Sequence, residues 1–347
     1  MDTFHVDGRY LLDTADNRVV LRGVNLPVLD NWGFPPDSRI SEVEKTGANA
    51  VRLQWYVNYK GGDRPAYTLS DLDTLLDECR LNRLIPILML ADFTCAGDPK
   101  VVNSGLIPWW TDCNVVTVLN KHRKYLIIKL ANEVGQYRWS PSPAAALASF
   151  QAEYKTAISA IRSHGLNMPV MIDAPDCGSS LEAFTNPGVG IGQDLIAHDP
   201  QRNVLLSVHA YWAAYGGMAR LLGDPLAATL PLVFGEVANK QDEEVDATDA
   251  AGLPTRRTDF CFYDLDGTSE RHPAPSGYSY QDLLTALGPR DIGWLAWSWW
   301  KDGCDRRQMT STGNFTDLTL YGDDLVNNPT YGLRLGTFAA ARTATLP

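Results

Sequence analysis

Eight short apolar runs, spaced along the chain by longer amphipathic or polar stretches and ending one after another in polar side chains, predict a (β/α)8 TIM barrel with an N-terminal β-hairpin. The runs cover residues 19–25, 50–55, 86–92, 125–133, 169–173, 204–211, 231–236 and 293–299. Most are nearly continuous in apolar residues, as parallel strands covered on both faces require. The expectation is one catalytic barrel domain over residues 1–347, a usual length for this architecture.

The elements follow in chain order. Phe4-His5-Val6-Asp7-Gly8-Arg9-Tyr10-Leu11-Leu12 places an Asp-Gly turn between short aromatic and β-branched runs, which signals a hairpin lying as a lid over one end of the core. Leu69, Leu72, Leu75, Leu76 and Cys79 recur at helical spacing behind Ser70 as N-cap, and residues 144–163 make a second clear helix. The intervals 94–114 and 237–279 are longer and rich in Gly, Pro and Asp, and are read as rim loops. No break in composition marks a second domain.

Hydrophobic residues make up 45% of the chain and charged residues 20%, so a sizeable core is available and disorder or coiled coil is a poor reading. The net charge of −11 argues against nucleic acid and anionic membranes as partners and suits a neutral or cationic ligand. No uncharged stretch approaches the roughly 18 residues of a membrane span. The first residues lack a basic region followed by an apolar run, so the protein is either cytoplasmic or one whose signal peptide has been removed. None of the six cysteines forms a C-x-x-C pair, which speaks against structural zinc. Cys95 and Cys113 flank one loop, and Cys261 and Cys304 fall in segments placed on one rim. Two disulfides, as against buried or free thiols, would mark an exported protein, and a secreted protein is the expectation.

In such a barrel the active site lies where strands end, so the residues that terminate the runs carry the functional signal. They are Asn25, Arg52 within the second run, Asp92, Asn132 with Glu133, Asp173, His209 with Tyr211, Glu236, and Trp297 with Trp299. A single carboxylate after a strand is more often a helix cap or a solvated loop residue. Eight coincident polar endings are harder to explain that way. Side chains two apart on a strand share a face, so His209 projects with Tyr211 and Trp297 with Trp299. Glu133 and Glu236, about a hundred residues apart on the fourth and seventh runs, would face one another across the barrel mouth. Glycosidic bond cleavage with retention needs such a pair, one carboxyl protonated and one ionised, roughly 5 Å apart.

Ile128-Lys129-Leu130-Ala131-Asn132-Glu133, Val208-His209-Ala210-Tyr211, Val233-Phe234-Gly235-Glu236 and Gly293-Trp294-Leu295-Ala296-Trp297-Ser298-Trp299 resemble, in order and spacing, the signature strands of glycoside hydrolase family 5. The resemblance spans nearly the whole chain. It implies a retaining β-glycanase with Glu133 as acid/base and Glu236 as nucleophile, working without cofactor or metal. It further implies that Asn132 binds the sugar 2-hydroxyl, that Arg52 and Tyr211 keep the nucleophile ionised, and that His209 neighbours the acid/base. Trp297 would stack beneath the sugar, joined by Trp299, for which core packing is the alternative. Two departures stand out: Leu90-Ala91-Asp92 lacks the His that many members carry at the end of the third strand, and Val134 replaces the usual Pro. Asp92 is the candidate to take over the missing ligand contact.

The expected function is therefore a monomeric endo-β-1,4-glycanase acting on plant cell-wall polysaccharide, mannan ahead of glucan. A cellulase or an exo-acting β-glycosidase are the alternatives, and a carbohydrate-binding pseudoenzyme is disfavoured because both carboxylates are present. Trp55-Tyr56 and Trp109-Trp110 are read either as outer sugar subsites or as loop packing. Asp264-Leu265-Asp266-Gly267 resembles a calcium loop without its closing Glu and is read as a surface turn.

Overall fold

A computed structural model describes residues 2–27, 39–57, 67–185, 190–211, 227–267 and 272–335. Strands β1 (His5–Asp7), β2 (Tyr10–Leu12) and β3 (Arg18–Val19) form a small antiparallel sheet. Eight parallel strands then close on themselves: β4 (Arg22–Pro27), β5 (Ala50–Trp55), β6 (Ile85–Leu90), β7 (Ile127–Lys129), β8 (Val170–Asp173), β9 (Val204–Ala210), β10 (Leu232–Val237) and β13 (Gly293–Ala296), which returns to β4. Each of the eight apolar runs supplies one barrel strand. Between the last two lies an antiparallel hairpin of β11 (Lys240–Thr248) and β12 (Pro254–Asp264).

The period of two along each strand divides the apolar residues into two bodies. One set, including Val51, Leu53, Leu88, Ile128, Ile172, Leu206 and Phe234, faces outward and packs beneath the helices. The other, including Ala50, Ile85, Ile87, Ile127, Met171, Leu205, Val233 and Leu295, fills the lower interior of the barrel and is sealed by Phe4, Leu11 and Val19 of the N-terminal sheet. The lid expected from the Asp-Gly turn is thus the floor of the barrel. Moving two residues along the inward column from Ala50, Ile127 and Met171 reaches Arg52, Lys129 and Asp173, and four from Leu205 reaches His209. The interior changes from hydrocarbon to charge within one layer.

The helix Leu69–Leu81 buries Leu72, Leu75, Leu76 and Cys79 as its spacing predicts. Its cap is Thr68 rather than Ser70, because Thr68 and Asp71 satisfy each other's backbone N–H groups in a capping box. The second helix is Pro143–Ser163. Both long intervals, expected as rim loops, carry regular structure. Residues 94–114 contain the helical turns Val102–Leu106 and Ile107–Trp110, and the helix Cys113–Lys121 begins there. Residues 237–279 contain the β11–β12 hairpin, in which β11 and the first half of β12 are mostly charged or polar and lack the apolar alternation by which a strand is recognised.

Cys261 and Cys304 are bonded, with Cα atoms 5.3 Å apart. Cys95 pairs with Cys177 instead of Cys113, since the loops after β6 and β8 bring their Cα atoms to 4.8 Å whereas Cys113 is exposed at the start of its helix. The calcium-like segment is not a surface turn either. Asp264 is buried, and the Lys240 ammonium sits between Asp264 at 2.5 Å and Asp266 at 2.9 Å, a built-in cation where a metal would otherwise be needed.

Candidate active site

Glu236, near the end of β10, receives Arg52 Nη1 on Oε1 at 2.6 Å and the Tyr211 hydroxyl on Oε2 at 2.9 Å. Arg52 rises from β5 and is itself held by Asn25 Oδ1 at 2.5 Å and by Asn132 Oδ1. Glu133 follows β7 with a left-handed φ of 57°, a conformation uncommon outside glycine, and its N–H donates to Asp173 Oδ2 at 3.0 Å. Nδ1 of His209 lies 2.5 Å from Glu133 Oε1 and 3.4 Å from Glu236 Oε1. One oxygen of each glutamate and a ring nitrogen of His209 all fall within 4.8 Å of one another.

Two glycines make room for that imidazole. A Cβ on Gly178, whose φ is +76°, would stand 2.8 Å from His209 Cγ, and one on Gly235 would stand 2.4 Å from Ser207 Oγ and 3.1 Å from His209 Nε2.

The surroundings drive the two carboxyls apart. Burial raises the Glu133 pKa above its ordinary value, Glu236 and Asp173 add to the rise, and the opposing His209 does not cancel it. Burial also acts to raise Glu236, but His209, Arg52 and Lys129 together with the Tyr211 hydrogen bond prevail and hold it below the usual range. Between the two pKa values one carboxyl is an acid and the other an anion. His209 shifts upward because Asp173 and Glu236 outweigh its desolvation, and burial with Arg52 nearby brings Lys129 down to about 8.

The pair opens into a cleft of about 880 Å³ lined by Tyr56, Asp92, Asn132, Trp139, Trp297 and Phe260 among others. Asn132 Nδ2 donates to Thr94 Oγ1 at 3.2 Å, which leaves one of its N–H groups for a ligand. Trp297 is fixed by its Nε1–H, which donates to Asp302 Oδ2 at 2.5 Å. Asp92 reaches the cleft wall beside Ala91, and its Oδ2 accepts the Val57 N–H at 2.8 Å, just beyond the end of β5. Trp299 does not join the site: it is fully buried in the core with Nε1 donating to Gly313 O, so the packing alternative holds. Trp55 and Trp110 are likewise core residues, and only Tyr56 of the two aromatic pairs lines the cleft.

Several cleft residues escaped the sequence reading. Trp139, 57% exposed, sits in a turn whose N–H groups at Tyr137, Arg138 and Trp139 all donate to the buried Asp176. Asp242 of β11 meets Arg307 at 2.6 Å, and Asp302 holds the same guanidinium at 2.8 Å. Among the described residues, the groupings able to hold a metal are Glu133 with His209 and Glu236, and Glu133 with Cys95 and Cys177. In the first the donor atoms already face the protons of Arg52, Tyr211 and His209. In the second the two sulfurs are bonded to each other.

A closed parallel barrel whose mouth holds two carboxyls with pKa values driven in opposite directions, beneath an aromatic-lined cleft, defines a glycoside-cleaving hydrolase. The sequence profile of Cellulase (glycosyl hydrolase family 5) matches residues 12–303, and the chain belongs to that family; it is a retaining glycoside hydrolase. It is 26% identical to a mannan endo-1,4-beta-mannosidase of Cellvibrio japonicus over 339 residues, 95% of this chain and 67% of the other. It is 23% identical to a mannan endo-1,4-beta-mannosidase of Streptomyces lividans, covering 99% and 77%. Among solved structures, the beta-mannanase from Thermomonospora fusca superposes with a TM-score of 0.73 at 20% identity, covering 99% of this chain and all of that one.

Proposed function

We propose that this protein is an endo-β-1,4-mannanase in which Glu236 is the nucleophile and Glu133 the acid/base. The observation that carries the reading is the pair itself: two carboxyls with oxygens within 4.8 Å, one pushed up and one held down by their own surroundings. Glu236 attacks the anomeric carbon while Glu133 gives its proton to the departing glycosidic oxygen. Glu133, now a carboxylate, then takes a proton from water, which displaces Glu236 and restores the original anomeric configuration.

Mannan as substrate is supported by the mannosidase relatives at full-chain coverage. Mannose and glucose differ at the 2-hydroxyl, where Asn132 keeps an N–H to offer. Endo action is supported by a cleft near the upper end of the roughly 300–1,000 Å³ usual for ligand sites, with room for more than one ring. The 347 residues are taken to act as one catalytic domain and as a monomer. Two disulfides support a working place outside the cytoplasm, and no described helix is long and apolar enough to cross a membrane.

The test is the ratio of kcat/KM on mannohexaose and cellohexaose with product sizes analysed. A preference for mannohexaose with internal cleavage is expected. A preference for cellohexaose beyond about a hundredfold, near 3 kcal/mol, rejects mannan as the substrate.

A further inference from the structure

Beneath the catalytic pair lies a charged pair that the reaction scheme above does not use. Lys129 and Asp173 are both wholly buried, on adjacent strands β7 and β8, and their side chains meet at 2.7 Å. A buried ion pair of this kind is expensive to maintain when hydrocarbon would fill the same space. Both residues address one atom. Lys129 Nζ stands 3.1 Å and Asp173 Oδ1 3.2 Å from Nε2 of His209, the nitrogen on the far side of the ring from the glutamates.

We propose that Lys129, clamped by Asp173, is a positioning residue that keeps the proton of His209 on Nδ1, where it faces Glu133 and Glu236. The inference rests on the assignment of those two glutamates. Its logic is that the pair meets Nε2 in either state of the ring. When the imidazole is neutral the ammonium fills the Nε2 lone pair, and when it is protonated the carboxylate faces the Nε2–H. The form disfavoured is the neutral ring with its only proton on Nε2, which would set an N–H against the Lys129 ammonium and turn a bare lone pair toward the ionised Glu236.

A fixed Nδ1–H matters because negative charge changes place during turnover. In the resting enzyme it resides on Glu236; in the glycosyl-enzyme Glu236 is esterified and Glu133 has lost its proton. Nδ1 at 2.5 Å from one and 3.4 Å from the other can follow the charge without the ring turning over. Lys129 also adds a positive charge to the set that holds Glu236 ionised. The charged groups that face it are Arg52 from β5, Asp173 from β8, His209 from β9 and Glu236 from β10.

The variant Lys129→Met removes charge and donor at nearly constant volume. On mannohexaose, kcat should fall at least about tenfold with KM changed less than about threefold, and the acidic limb of kcat/KM should move to higher pH because Glu236 loses a neighbouring cation. A folded Lys129→Met enzyme with unchanged kcat and acidic limb overturns the proposal. Should the variant not fold, nitrogen-15 histidine spectra of the unsubstituted protein decide, with His209 assigned by its loss in His209→Gln. A protonated Nδ1 across the activity range is expected, and a neutral ring protonated on Nε2 overturns it. Glu236→Ala run alongside separates the two levels: if it is inactive, failure at Lys129 concerns Lys129 alone, whereas an active Glu236→Ala overturns the glutamate assignment and this inference with it.

Discussion

Tyr211 and Glu236 are joined at 2.9 Å through the carboxylate oxygen opposite the one that Arg52 holds, so each oxygen of the proposed nucleophile has its own donor. The phenol helps keep the carboxylate ionised and must release its hydrogen bond as Glu236 attacks. Tyr211→Phe removes that bond without emptying the site. A hydrogen bond to a charged group contributes roughly 1.5–3 kcal/mol, so a loss of about ten- to a hundredfold in kcat/KM is expected, with the acidic limb displaced upward. Unchanged kinetics would show that the hydroxyl is idle.

The pH dependence follows from the opposed shifts. The active form has Glu236 ionised and Glu133 protonated. Activity should rise as pH climbs through the depressed pKa of Glu236 and fall as it passes through the elevated one of Glu133, giving a bell. With an activated aryl glycoside, whose departure needs little protonation, Glu133→Gln should retain the glycosylation step and lose the alkaline limb. An alkaline limb that persists in this variant would assign it to another group.

The Cys261–Cys304 bond ties β12 to the segment after β13 and closes a loop of 43 residues' separation. In the chain-entropy view such a closure contributes about 4 kcal/mol. The double variant Cys261→Ser/Cys304→Ser should lower the unfolding free energy by up to that amount in reversible denaturation. Because β11 carries Asp242 into the cleft, KM should rise more than kcat falls. Equal stability of the two proteins would show that the hairpin is held by its ion pairs alone.

Trp139 offers an exposed ring on the cleft wall, and an outer sugar subsite is the role expected of it. Trp139→Ala should reduce kcat/KM on mannohexaose by roughly tenfold, the order of one aromatic contact, while leaving short aryl glycosides nearly untouched. Comparable losses on both substrates would place its effect at the reacting sugar.

The barrel was legible because eight apolar runs carry their own boundaries, and the glutamates because they end two of those runs. Lys129 was within reach of the same reasoning: it lies two residues beyond Ile127 and so shares its inward face, but inside the run Ile127-Ile128-Lys129-Leu130 it reads as an interruption rather than a site. Trp139 and Asp242 had no such signal. Their positions depend on a turn gathered by Asp176 and on a hairpin whose strand β11 is mostly charged, so periodicity could not find them. Trp299 shows the converse limit. Sharing a strand face with Trp297 holds only while the strand continues, and β13 ends at Ala296.

The sheet of β1, β2 and β3 closes the barrel from below with Phe4, Leu11 and Val19, and hydrocarbon fills the layer above it. Among the described residues, that side presents hydrocarbon to Arg52, Lys129, Asp173 and His209, and the polar cleft lies on the other. With a glycan filling the cleft, the nearest proton partners of these groups are one another and the sugar. The number of protons in the chamber is then conserved through glycosylation, and the water that ends the cycle must bring in the proton that the departing chain has carried off.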